Sequence, residues 1–329
     1  MRRFFLVLIL VAAAVAGAAA WWLHAPMASG SAAAIELEVE PGATPRAVAQ
    51  AAAQAGLQVP PRLLWLWFRL SGEDRLIKAG NYEIPAGTTP VQLLQKLVRG
   101  DATMRTVTLI EGWNMRQVRA ALAHADSLKP DTQGMDDAAL MAALGRPGLS
   151  PEGRFFPDTY AYARGSSDIA VLRRAMRQMD KRLDAAWAAR EPGLPLTSPE
   201  QALTLASLVE KETGRAQDRA QIAGVFINRL RAGMLLQTDP SVIYGLGAQF
   251  DGNLRKRDLQ ADTPYNTYTR AGLPPTPIAM PGRAALLAAV QPGSTKALYF
   301  VARGDGSSQF SATLDEHNRA VNRYQRGGK

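Results

Sequence analysis

From Phe4 to Leu23 the chain reads FFLVLILVAAAVAGAAAWWL, twenty residues without a charge. About 20 apolar residues are what a helix needs to cross about 30 Å of hydrocarbon, so this stretch predicts one membrane span. A cleaved signal peptide competes, with Arg2 and Arg3 as its basic head and small residues near Ala20 for cleavage. The stretch exceeds the roughly 7 to 15 apolar residues of a signal core, and Trp21 with Trp22 stands where an interfacial aromatic belt belongs, which favours a retained anchor. Arg2 and Arg3 then hold the N-terminus in the cytoplasm and put everything beyond about residue 24 on the far side. The expected location is the cytoplasmic (inner) membrane, single-pass, with residues 25–34 (small residues such as MASGSAAA) as a short flexible linker.

Beyond the anchor the chain is long enough for about two domains, and a protein of 329 residues that is 47% hydrophobic is not disordered throughout. With no cysteine and three histidines (His24, His124, His317), a disulfide scaffold, thiolate zinc and a cysteine nucleophile are excluded, and a polyhistidine metal centre is disfavoured. Catalysis would rest on oxygen groups or lysine. A net charge of +9 favours an acidic partner: nucleic acid, an anionic membrane or an acidic polymer such as cell-wall glycan.

Three segments share one pattern: IELEVEPGATPRAVAQAAAQAG from Ile35, GNYEIPAGTTPVQLLQKLVRG from Gly80 and TVTLIEGWNMRQVRAALA from Thr106. In each, a β-prone run meets a glycine turn (Gly42, Gly87, Gly112), and a helix begins at Pro45, Pro90 or Met115. Thr44 and Thr89 cap helices that carry Pro in first position, and Gly56 and Gly100 stand at their ends. Between the first two, PRLLWLWFRL (61–70) is apolar nearly all round, which predicts a buried helix or else a docking surface. No catalytic cluster occurs over 35–124, so this region reads as a binding or positioning module. Residues 125–150, rich in Pro and Gly, read as a connection with one short helix.

In the remainder, Ser198-Pro199-Glu200-Gln201 is a capping box that starts the helix LTLASLVEKETG. Glu210 and Glu212 lie roughly 200° apart on it, so at most one faces a given substrate bond. Glu212 has Arg215 at i+3, an ordinary ion-pair spacing. Glu210 has only Ala206, Ser207, Thr213 and Gly214 for local company, surroundings that raise a carboxyl's pKa and suit a general acid; pairing with a distant arginine is the competing structural role. Downstream, DRAQIAGVFINRLRAG is a scaffold helix, and Asp239 before Pro240 reads as a cap. Gln237 and Tyr244 have no local duty. The loop DTPYNTYTRAGLPPTPIAMPG, with Tyr265, Asn266, Thr267 and Tyr268, is of the kind that lines a cleft and contacts sugars. A hairpin LYFVARGDGSSQFSA and a helix holding His317 and Asn318 close the chain.

VEKETGRAQDRAQIAGVFINRLRAGMLLQTDPSVIYGLG, TPYNTY, GLPPTPI, LYFV and His317-Asn318, with EGRFFPDTY and AGNYEIPAGTT upstream, closely resemble the membrane-anchored endolytic murein transglycosylases, the YceG-like family. The resemblance runs from the anchor to near residue 325. It implies an α+β fold: a transmembrane helix (1–24), a LysM-like glycan-positioning module (35–124) and a mixed α+β catalytic domain (151–329). It also implies cleavage of nascent peptidoglycan strands outside the cytoplasmic membrane, with 1,6-anhydro-N-acetylmuramoyl ends. The family's acid falls on Glu210; the substrate contacts expected from the residues themselves are Glu152, Gln237, Tyr244 and the 265–268 loop. No metal, cofactor or nucleic acid is implied; partners are glycan strands, the membrane and peptidoglycan synthases of the elongation or division machinery. Two rivals stand: a non-catalytic glycan-binding tether, and a glycosidase using water and a second carboxylate such as Glu152 or Asp251.

Overall fold

A computed structural model of the chain describes residues 2–29, 34–40, 42–100, 105–162 and 165–326. The chain divides into two compact units. One comprises Met1–Val107, Asp126–Lys129 and Ala161–Ser166; the other comprises Thr108–Ala125, Pro130–Tyr160 and Ser167–Lys329.

Unit one begins with α1 (Arg2–His24), long and apolar enough to cross a membrane, with the side chains of its apolar window exposed. Its far end is built into the unit's core. Trp22 packs against that core, Met27 is buried in it, and the Met27 N–H donates to Thr88 O at 3.0 Å. β1 (Ala28–Ser29) then pairs antiparallel with β3 (Leu57–Gln58). The expected linker is thus structured up to Ser29, while Gly30 to Ala33 lie outside the described residues.

β2 (Ile35–Val39) buries Ile35, Leu37 and Val39 and exposes Glu36 and Glu38, the alternation of a one-sided strand. It pairs antiparallel with β4 (Gly80–Ile84), Leu37 opposite Tyr82. α2 (Pro45–Gln54) and α4 (Pro90–Arg99) start at the expected caps, Thr44 and Thr89, the latter in a reciprocal box with Gln92. α3 (Pro61–Leu70) buries Leu64 and Phe68 but leaves Leu63, Leu66 and Leu70 exposed, so only one side of this helix is core. β5 (Arg105–Thr108) pairs with β6 (Thr159–Tyr162), and the division between the units falls within both strands.

The third strand–turn–helix segment is therefore split. Its helix, α5 (Met115–Ala123), capped by Asn114 with Gln117, counts with unit two. So does most of the expected connection, where α6 (Asp137–Ala143) buries Leu140 and Met141. Unit two is assembled around α8 (Pro199–Glu212), in which every residue from Ala202 to Val209 is buried. α7 (Asp168–Ala188), α9 (Ala216–Arg231) and α12 (Arg283–Val290) share its core through Leu183, Phe226 and Leu286. α10 (Asp239–Leu246) and α11 (Lys256–Gln260) precede the long Pro-rich loop. β7 (Tyr299–Ala302), β8 (Ser308–Ser311) and α13 (Leu314–Val321) complete the unit.

The start of α8 is half the expected box: Ser198 Oγ accepts from Gln201 N–H at 3.3 Å, but Gln201 Oε1 accepts from Thr197 N–H at 2.8 Å instead of from Ser198. α9 passes close to the loop after α12, where a Cβ on Gly224 would stand 2.5 Å from Gly293 O. The neighbouring backbone cannot yield, because Gly293 N–H donates to Ala220 O at 2.8 Å. Gly224→Ala is expected to cost about 1–3 kcal/mol through overpacking, outweighing the gain in helix propensity. A denaturant midpoint equal to or above wild type would contradict this.

Candidate active site

The last turn of α8 carries Glu210 and Glu212 into separate environments, both within unit two. Glu210 is enclosed. Its Oε2 accepts from Gly282 N–H at 2.9 Å, and its Oε1 lies 4.0 Å from Nη2 of Arg219, whose side chain is also nearly buried. The segment before α5 forms the other wall: Gly112 N–H donates to Met280 O at 2.9 Å and Met280 N–H to Trp113 O at 2.6 Å. Glu111 fills the space over Gly282, where a Cβ would lie 1.8 Å from its Oε1. Burial raises the Glu210 pKa, helped by the Glu111 charge and opposed by the Gly282 hydrogen bond, Arg219 and Lys211. The distant arginine of the competing structural role is Arg219, nine residues on in the next helix and beyond the reach of i±4 reasoning.

Glu212 does not pair with Arg215. α8 stops at Glu212 because Thr213 is extended (φ −151°, ψ 135°), so position i+3 is no longer on the helix. The carboxyl instead accepts a short hydrogen bond from Thr238 Oγ1. It lines a cavity of about 620 Å³ with Arg229, Gln237, Asp239, Tyr268, Tyr299, His317 and Asn318. Burial, with Asp239 adding to it, pushes the Glu212 pKa up to about 7 against the Thr238 hydrogen bond and Arg229.

Arg229 organises this cavity from below. Its Nε donates to Leu298 O at 2.6 Å and its Nη1 to Leu235 O and Leu236 O at 3.1 and 2.9 Å, and to Gln237 Oε1 at 3.3 Å. Gln237 is held in the left-handed region (φ 50°), with its N–H donating to Thr267 O at 3.0 Å. The His317 ring stacks on Tyr299 at 5.2 Å, and burial beside Arg229 lowers its pKa, which favours the neutral imidazole. Tyr268 OH donates to Asp239 Oδ1. Asp239 is the first residue of α10, after Thr238, one place later than its expected capping position.

The other expected contacts fall elsewhere. Glu152 is buried with both carboxyl oxygens 3.1 Å from the Met115 N–H and accepts from Tyr244 OH at 3.0 Å, so it clamps the start of α5. Desolvation pushes its pKa to about 7 as well. Tyr244 packs edge-on against Tyr265, whose hydroxyl bonds Thr276 Oγ1 at 2.9 Å. Asn266 is fully buried: its Nδ2 donates to the carbonyls of Asp258, Leu259 and Ala261, and its Oδ1 accepts from Tyr268 N–H. Thr267 is equally internal, bonded to Thr238 and Ser241. Both brace the loop, with their polar side-chain atoms bonded within it and to the start of α10. Asp251 is exposed and held by Arg255 at 2.7 Å.

Of the expected residues, the cavity brings together Gln237 and Tyr268, and it adds Glu212 and Arg229, which sequence reasoning assigned to an ion pair and a scaffold helix. The signal for Arg229 was present: a cation at helical spacing within the stripe Ile222, Val225, Phe226 must have acceptors inside the fold.

The profile of the YceG-like family matches residues 37–323. The chain is 30% identical over 316 residues to a Bacillus subtilis protein named endolytic murein transglycosylase, covering 91% of this chain and 87% of that one. A protein of the same name from Streptococcus pneumoniae is 27% identical over 279 residues, covering 74% of this chain and 50% of its own length. A crystal structure of a yceG-like protein from Listeria monocytogenes superposes with a TM-score of 0.54 at 27% identity, over 88% of this chain and 99% of that chain. With the family profile spanning both units, the chain belongs to the YceG-like family.

Proposed function

We propose that this chain is a peptidoglycan lytic transglycosylase, held by α1 on the outer face of the cytoplasmic membrane, that cleaves glycan strands internally between N-acetylmuramic acid and N-acetylglucosamine. The names of its relatives support the activity. One observation carries the choice of acid: the Glu212 carboxyl lines a polar cavity, whereas Glu210, whose pKa burial raises as well, is held between Gly282 N–H and Arg219. That favours Glu212 over Glu210, the position the family resemblance implied.

Protonated Glu212 gives its proton to the glycosidic oxygen as the bond to C1 breaks. As carboxylate it then takes the proton of the muramoyl C6 hydroxyl as that oxygen attacks C1, which restores the acid and closes the anhydro ring. No water is consumed, so no second, water-activating carboxylate is needed, and the substrate's own N-acetyl group stabilises the developing positive charge. Gln237 and Tyr268 supply hydrogen bonds to the sugar beside the acid. Unit one, with no buried carboxyl among its described residues, is a LysM-like module that positions glycan.

Mass spectrometry of uncrosslinked glycan strands treated with the full chain is expected to show new 1,6-anhydro ends. Reducing ends would indicate a hydrolase using water, and uncut strands a glycan-binding tether.

A further inference from the structure

α3 presents two faces of opposite kind. Leu64 and Phe68 are 0% exposed in the unit-one core, while Leu63, Leu66 and Leu70, at i, i+3 and i+7, form one stripe that is 47%, 42% and 74% exposed. Leu76, just beyond the helix, is 58% exposed. Arg62, Arg69 and Arg75 are exposed around the stripe. Such an apolar ridge edged by arginines is the composition of a helix that lies in the headgroup region of a bilayer.

The fold holds this ridge close to where the anchor ends. Trp22 of α1 and Met27, three residues past its end, belong to the same core as Leu64 and Phe68, and β1 follows at once. No slack chain separates span and unit. We propose that the Leu63–Leu66–Leu70 ridge of α3 docks into the outer leaflet of an anionic bilayer, making a second, interfacial membrane attachment beside α1. This rests on reading α1 as a membrane span.

The chain has no cysteine, so single-cysteine labelling is clean. Full-length Leu66→Cys, Ala14→Cys in α1 and Gln50→Cys on the exposed side of α2, each carrying a polarity-sensitive fluorophore, would be reconstituted in phosphatidylglycerol/phosphatidylcholine vesicles. The label at residue 66 is expected to be quenched at least twofold more than that at 50 by lipids brominated near the headgroup, and to be shielded from aqueous iodide. Iodide access at 66 equal to that at 50, without lipid quenching, overturns the proposal. So does shielding from iodide without lipid quenching, which would mean that another protein surface, such as a second copy, covers the ridge. Absence of quenching at residue 14 by lipids brominated deep in the acyl chain would instead overturn the membrane span itself, and the docking with it.

Discussion

Glu212→Gln is expected to lower glycan cleavage by roughly 10²–10⁴-fold, the range for loss of a general acid-base group, with the fold retained. The amide still accepts the Thr238 hydrogen bond, so the cavity keeps its shape. In the wild type the acid must start protonated, and with a pKa of about 7 cleavage should fall as pH rises through that value. The sign for stability is the same. A carboxyl held at about 7 in the fold and at the ordinary 4.5 when unfolded keeps its proton longer in the native state, so stability declines as pH rises from 4.5 to about 7. Glu212→Gln removes that share of the slope and Glu152 retains its own, so the dependence should shrink without vanishing. Glu210→Gln is the comparison: its amide oxygen still accepts from Gly282, and less than a tenfold change is expected. Anhydro-product formation by an intact Glu212→Gln variant at near wild-type rate, with Glu210→Gln inactive, would return the acid to Glu210.

Arg229→Lys should be the most damaging change to stability, about 3–5 kcal/mol despite the retained charge. The guanidinium satisfies three carbonyls from two separate segments, Leu298 on one side and Leu235 and Leu236 on the other. A lysine ammonium donates from one point and cannot span them, which leaves buried acceptors unpaired. The loss should be accompanied by lower cleavage, because Gln237 loses its partner at 3.3 Å. A thermal midpoint within a few degrees of wild type would show that these carbonyls have other means of satisfaction.

The helix starts were legible because their causes are local: Thr44, Thr89 and Ser198 each cap within three residues of themselves. Family resemblance and the two-carboxylate helix were legible on the same footing. What stayed hidden depends on distant segments or on where a helix ends. The wall over Glu210 joins Gly112 and Trp113 to Met280, about 170 residues on. The i+3 argument for Glu212 and Arg215 assumed a turn of helix that Thr213 does not make. Asn266 and Thr267 had the chemistry of sugar contacts, but a long loop must first satisfy its own backbone, and Asn266 spends its amide on three loop carbonyls.

The absence of slack after α1 has a mechanical consequence. At 1.5 Å per residue the 20 uncharged residues of the proposed span cover about 30 Å, the thickness of a typical hydrocarbon core, and a helix so matched tilts when the bilayer around it thins. With Trp22 and Met27 packed into unit one, the helix and that unit turn as one lever. With α1 as the membrane span proposed above, a thinning of a few ångströms in the local bilayer would thus reorient the whole β2–β4 module, which a loosely tethered domain would never register.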